Sequence, residues 1–101
     1  MAYVTIYRNE DYDDGGLGGL ELNYSSSGLP DPYNDSMTSF QVAQSRSAIF
    51  YQNADYNETV AGWSFTSPGD YPNDCPGVRP EHNDQVSSIR IFSDPGFSNE
   101  V

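Results

Sequence analysis

Asn34-Asp35-Ser36-Met37-Thr38-Ser39 returns later in the chain as Asn83-Asp84-Gln85-Val86-Ser87-Ser88. Both copies read Asn-Asp-x-x-Ser/Thr-Ser, and each runs directly into an apolar residue, Phe40 or Ile89, that begins a short alternating segment. Ahead of them lies a second matched pair, Tyr7-Arg8-Asn9-Glu10-Asp11-Tyr12 and Tyr51-Gln52-Asn53-Ala54-Asp55-Tyr56. The Asn-Asp copies are forty-nine residues apart and the tyrosine-bounded copies forty-four, so two units of one plan follow each other. Self-similarity on this scale is the strongest architectural signal a sequence carries.

Outward from these motifs the chain reads as short strands. Tyr3-Val4-Thr5-Ile6-Tyr7 is β-branched and aromatic, Leu20-Glu21-Leu22-Asn23-Tyr24 alternates, and Phe40-Gln41-Val42-Ala43 alternates again. Between them, 9–19 is an acidic, glycine-rich hairpin connection and 25–32 a Ser/Gly/Pro loop. The second unit answers with Ala48-Ile49-Phe50-Tyr51, Trp63-Ser64-Phe65-Thr66 and Ile89-Arg90-Ile91-Phe92. Its connections are a hairpin loop at 53–62, a turn at Ser67-Pro68-Gly69-Asp70-Tyr71, a long Pro-containing loop at 72–82 and a polar tail at 93–101. No helical period of useful length interrupts the pattern. The reading is all-β: one domain over 1–101, with four strands in each of two Greek-key motifs, about 1–46 and about 47–101, packed as a sandwich. Ile6, Leu20, Leu22, Phe40, Val42, Phe50, Trp63, Phe65, Ile89 and Ile91 are the expected core.

Composition bounds the function. A chain of 101 residues supports one modest core, and 8 Tyr, 5 Phe and 1 Trp supply much of its bulk, which argues against disorder. The formal charge of −11 makes nucleic acid and anionic membranes poor partners and cations good ones. No apolar stretch approaches the ~20 residues of a membrane span, and the first residues lack the plan of a signal peptide. Cys75 is the single cysteine, so neither an internal disulfide nor a thiolate metal cluster is expected.

The tyrosine-bounded hairpin, a later glycine, and the Asn-Asp-x-x-Ser/Thr-Ser segment, twice in the same order, resemble the βγ-crystallin superfamily and in particular its calcium-binding microbial members. The resemblance spans residues 3–92. It implies a βγ-crystallin-like sandwich and two bound calcium ions. The residue types suit that ion: calcium takes about six to eight oxygens from carboxylates, carbonyls, hydroxyls and water, and one such turn offers all three protein types. The partition of roles is what the resemblance implies. One site would use the carbonyls of Ser36 and Arg8, the Thr38 hydroxyl and the Asp84 carboxylate. The other would use the carbonyls of Gln85 and Gln52, the Ser87 hydroxyl and the Asp35 carboxylate. Each carboxylate would cross to the site of the other unit, so the ions would clamp the units together. With one carboxylate per ion, dissociation constants on the order of 10⁻⁷ to 10⁻⁴ M are expected. Ser39 and Ser88 resemble the family serine that bonds back onto its folded hairpin. Asp14 and Glu58 stand where the family hairpin places glycine, which shifts that role to Gly15 or Gly19 and to Gly62.

Other readings of the same residues carry less. The Asn-Asp segments could be plain Asx turns, but a paired repeat behind paired hairpins favours calcium. The 11–22 segment has Gly15 at an EF-hand ligand position and Leu22 where the bidentate Glu belongs. Gly15-Gly16-Leu17-Gly18-Gly19-Leu20 occurs once and lacks the Asp of a calcium-binding β-helix repeat, so it reads as a hairpin tip. His82 has no nucleophile partner in the sequence, and Cys75 has no basic neighbour to activate it, so no enzymatic activity is expected. The alternative function is a calcium-ordered module for carbohydrate or protein interaction.

Overall fold

The computed structural model describes residues 2–16, 18–57 and 62–101. Two antiparallel sheets face each other. The first is built from β1 (Val4–Tyr7), β2 (Leu20–Leu22), β3 (Ser39–Val42) and β6 (Asp74–Cys75), in the order β2-β1-β3-β6. The second contains β4 (Ser47–Tyr51), β5 (Ser64–Ser67) and β7 (Ser88–Phe92), in the order β5-β4-β7. Among the described residues no helix is long and apolar enough to cross a membrane.

The sheets are completed by exchange. β6 comes from the second unit yet pairs with β3 of the first, Phe40 opposite Cys75 and Gln41 opposite Asp74. In return, Ser26 of the first unit bridges Ile89 in β7. Each unit therefore supplies three strands and one crossing segment, the latter a two-residue strand or a single bridge where a full fourth strand was expected. Both crossing segments lie in stretches that read as loops, 72–82 and 25–32, because so short a pairing shows no alternation. The 93–101 stretch is not a free tail either. Val101 donates to the Ile91 carbonyl and accepts from Ser25, and the Asp94 carboxylate gathers the N–H groups of Gly96, Ser98 and Asn99.

Phe40, Phe50 and Phe65 form the centre of the core, with ring centroids 4.6 Å apart for the first pair and 4.8 Å for the second. Ile6, Ile89 and Ile91 are fully buried around them, as is Val4, which the alternation did not single out. Leu20 and Leu22 are only half-buried because β2 is an edge strand, and so is Trp63, one residue ahead of the edge strand β5. Met37 and Val86, the fourth residues of the two Asn-Asp motifs, are fully buried. Each loop is thus pinned by an apolar plug, worth about 1.5 to 3 kcal/mol.

Candidate metal centre

The hairpins are built alike. Tyr7 and Tyr12 pack edge to face at 5.7 Å, Tyr51 and Tyr56 at 5.6 Å. Asp11, Tyr12, Asp55 and Tyr56 all take positive φ, the left-handed turn that folds each hairpin over. The Ser39 hydroxyl donates to the Asn9 carbonyl at 2.6 Å and accepts from the Tyr12 N–H at 3.1 Å. Ser88 makes the same pair with Asn53 and Tyr56, at the same 2.6 and 3.1 Å. Both serines therefore brace the folded hairpins. Gly19, at φ +83°, packs so closely that an added Cβ would lie 2.7 Å from the Tyr7 ring, whereas Gly15 has open space around it. Gly62 sits equally close to the Asn53 amide, and Glu58 lies outside the described residues.

The Asn-Asp loops lie side by side. Asp35 donates its N–H to the Val86 carbonyl and Asp84 to the Met37 carbonyl, each at 3.0 Å, and both aspartates have positive φ (56° and 59°). Thr38 N–H bonds the Tyr7 carbonyl at 2.9 Å and Ser87 N–H the Tyr51 carbonyl at 3.0 Å, tying each loop to its own hairpin. This lattice brings hydroxyl and carboxylate together across the repeats. Ser87 Oγ donates to Asp35 Oδ1 at 2.9 Å, and Thr38 Oγ1 to Asp84 Oδ1 at 3.3 Å.

A cavity of about 390 Å³ opens between the loops, lined by Asp35, Gln52, Asn53, Ala54, Asp84, Gln85 and Ser87. Gln52 Nε2 donates to Gln85 Oε1 at 2.9 Å along its wall. Arg8, Ser36 and Thr38 do not line this cavity. Among the described residues, no backbone N–H donates to the carbonyls of Arg8, Ser36, Gln52 and Gln85. No three carboxylate, imidazole or thiol groups cluster as a metal cage among the described residues. The available donors are single carboxylates, hydroxyls and carbonyls, the hard oxygen set that suits calcium.

Behind the first hairpin lies a support the sequence did not suggest. The Asp14 carboxylate, 2% exposed, accepts from Arg8 Nε at 2.7 Å, from the Arg8 N–H at 3.0 Å and from the Tyr33 hydroxyl at 2.5 Å. Burial pushes its pKa up, but the Tyr33 and Arg8 hydrogen bonds outweigh that and hold it below the ordinary carboxylate value. The guanidinium is turned into this pair, its charge compensated. The one available signal was Asp14 itself, an acid where the resemblance calls for glycine.

His82 occupies the place in the second unit that Tyr33 holds in the first, one residue before the Asn-Asp motif. It is buried against Trp63 and Phe65, at 4.4 and 4.6 Å between centroids. The Tyr71 hydroxyl accepts from the Arg79 N–H at 2.8 Å and shares a hydrogen bond with His82 Nδ1, 2.7 Å away. Burial, with the Arg79 charge, lowers the His82 pKa and so favours the neutral ring.

The fold has close counterparts among solved structures. A βγ-crystallin domain from Flavobacterium johnsoniae superposes with a TM-score of 0.72 at 24% identity, covering 95% of this chain and 99% of that one. A βγ-crystallin domain from Clostridium beijerinckii gives 0.68 at 26% identity, covering 90% and 98%. The N-terminal domain of Protein S gives 0.65 at 25% identity, covering 91% and 97%. No family model matches the chain, and no curated protein does.

Proposed function

We propose that the chain, whose fold is that of the βγ-crystallin domains it superposes on, is a calcium-binding domain whose two ions fasten its Greek-key motifs to each other. The observation that carries the reading is the crossed pairing of Ser87 with Asp35 and of Thr38 with Asp84, each joining the two repeats. One ion would be held by the Arg8 and Ser36 carbonyls, the Thr38 hydroxyl and Asp84. The other would be held by the Gln52 and Gln85 carbonyls, the Ser87 hydroxyl and Asp35. When bound, calcium supplies positive charge to a chain of −11 and a cross-link between loops that otherwise rest on a few hydrogen bonds. The protein's contribution is preorganisation: Met37 and Val86 anchor the loops in the core, and Ser39 and Ser88 fix the hairpins. Ion binding to the folded state alone adds ~2.7 kcal/mol per site at a hundredfold excess over Kd, a large share of a small domain's stability.

Calorimetric titration of the chelator-stripped chain tests this. Two ions per chain, with affinities on the order of 10⁻⁷ to 10⁻⁴ M, are expected. No heat at millimolar calcium would overturn the reading.

A further inference from the structure

Arg8 and Ser36, whose carbonyls would serve the ion shared with Thr38 and Asp84, are joined through a side chain that belongs to neither motif. Asp14 Oδ1 accepts from the Arg8 N–H at 3.0 Å and from Arg8 Nε at 2.7 Å, so one oxygen fixes both the backbone and the side chain of that residue. Asp14 Oδ2 accepts from the Tyr33 hydroxyl at 2.5 Å, and the Tyr33 carbonyl accepts from the Ser36 N–H at 3.1 Å. The path Arg8, Asp14, Tyr33, Ser36 thus runs from the first hairpin to the first Asn-Asp loop.

Among the described residues the second unit has no such path. Gln52 stands where the first hairpin has Arg8, and its amide bonds the Gln85 side chain directly at 2.9 Å. His82 stands where the first unit has Tyr33, and it bonds Tyr71 instead. The difference has an electrostatic reason. A residue that lends its carbonyl to a cation brings its own side chain into the neighbourhood. Gln52 brings a neutral amide, whereas Arg8 brings a guanidinium, which repels a divalent ion. The Asp14 side chain, wholly buried, meets that charge with a carboxylate on the inner side of Arg8.

We propose, resting on the calcium reading above, that Asp14 is a positioning residue for the ion held by Arg8, Ser36, Thr38 and Asp84. It ties the two carbonyl-bearing segments together and neutralises the charge that Arg8 carries beside them. The affinity of this first ion therefore depends on Asp14 and that of the second does not, although Asp14 is a ligand of neither. An Asp14 that served the fold alone would affect both ions alike, since both need the folded chain.

The test is calorimetric calcium titration with each ion isolated, Asp35→Asn leaving the first and Asp84→Asn the second. Adding Asp14→Asn, which keeps the shape and removes the charge, weakens the first ion about tenfold, the order expected of one unbalanced charge near a divalent cation. The second ion is unchanged. Adding Arg8→Gln as well, which copies the neutral residue of the second hairpin, restores most of the first ion's affinity but not the lost melting temperature. Repair of a merely structural defect would not follow from deleting a further partner. Tyr33→Phe, a milder change that keeps the ion pair, weakens the first ion alone and by less. Equal weakening of both ions, weakening of the second alone, an unchanged first ion or no recovery with Arg8→Gln would overturn the role of Asp14 while two ions still bind the wild type. A wild type that binds no calcium would overturn the proposed function along with it.

Discussion

Ser87 Oγ lies 2.9 Å from Asp35 Oδ1 although 52 residues separate them in sequence. Asp35 belongs to the first unit and Ser87 to the second, and the matching contact, Thr38 to Asp84, runs the opposite way. A pair of contacts related like this makes each loop the completion of the other. The ligand scheme then has a signature that separates it from two independent sites: damage in one unit is felt in the other.

Asp35→Asn keeps a residue that tolerates positive φ while removing the charge. It should abolish the ion held by Gln85 and Ser87, leaving one ion per chain by calorimetry. Asp84→Asn should do the same for the ion held by Ser36 and Thr38. Loss of the site within the mutated unit instead would show that the carboxylates do not cross.

Ser39→Ala and Ser88→Ala each strip a hydroxyl that serves a hairpin carbonyl and a hairpin N–H at once. Each should cost about 1 to 3 kcal/mol in chemical denaturation. The two losses should be alike, because the geometry is the same in both units.

The Asp14 pair predicts a larger effect. Asp14→Ala leaves Arg8 and the Tyr33 hydroxyl without their partner and should lower the denaturation midpoint of the calcium-free chain further than either serine variant does. Tyr33→Phe, which removes one of the three bonds, should cost less.

His82 sets a pH dependence. Its pKa is lowered in the folded chain, so the unfolded chain binds the proton more readily; stability is full above the unfolded value of ~6.5 and is lost as pH falls below it. In chelator, His82→Phe should flatten the fall in melting temperature between about pH 7 and 5.

The repeat, the sheets and the serine braces were legible because each rests on residue types at fixed spacing. Ser39 and Ser88 follow the motif wherever it goes. β6 was not legible: two residues cannot display a period, and Asp74-Cys75 lies among prolines and glycine. Met37 and Val86 lie inside loop motifs rather than alternating runs, so their burial depends on how the loops fold inward. Asp14 reads as one more acid in an acidic hairpin, and only the approach of Tyr33, 19 residues on, makes it a buried anchor. His82 reads as a loop residue, since its aromatic neighbours arrive from β5 and the turn after it.

The most direct measurement is the melting temperature of the chelator-stripped chain against that of the same chain with calcium at a hundred times Kd, for the wild type, Asp35→Asn and Asp84→Asn. The account predicts a rise of about 10 °C or more in the wild type, a smaller rise in each single variant and none in the double variant. A wild-type melting temperature indifferent to calcium, or a double variant that still responds fully, would contradict it.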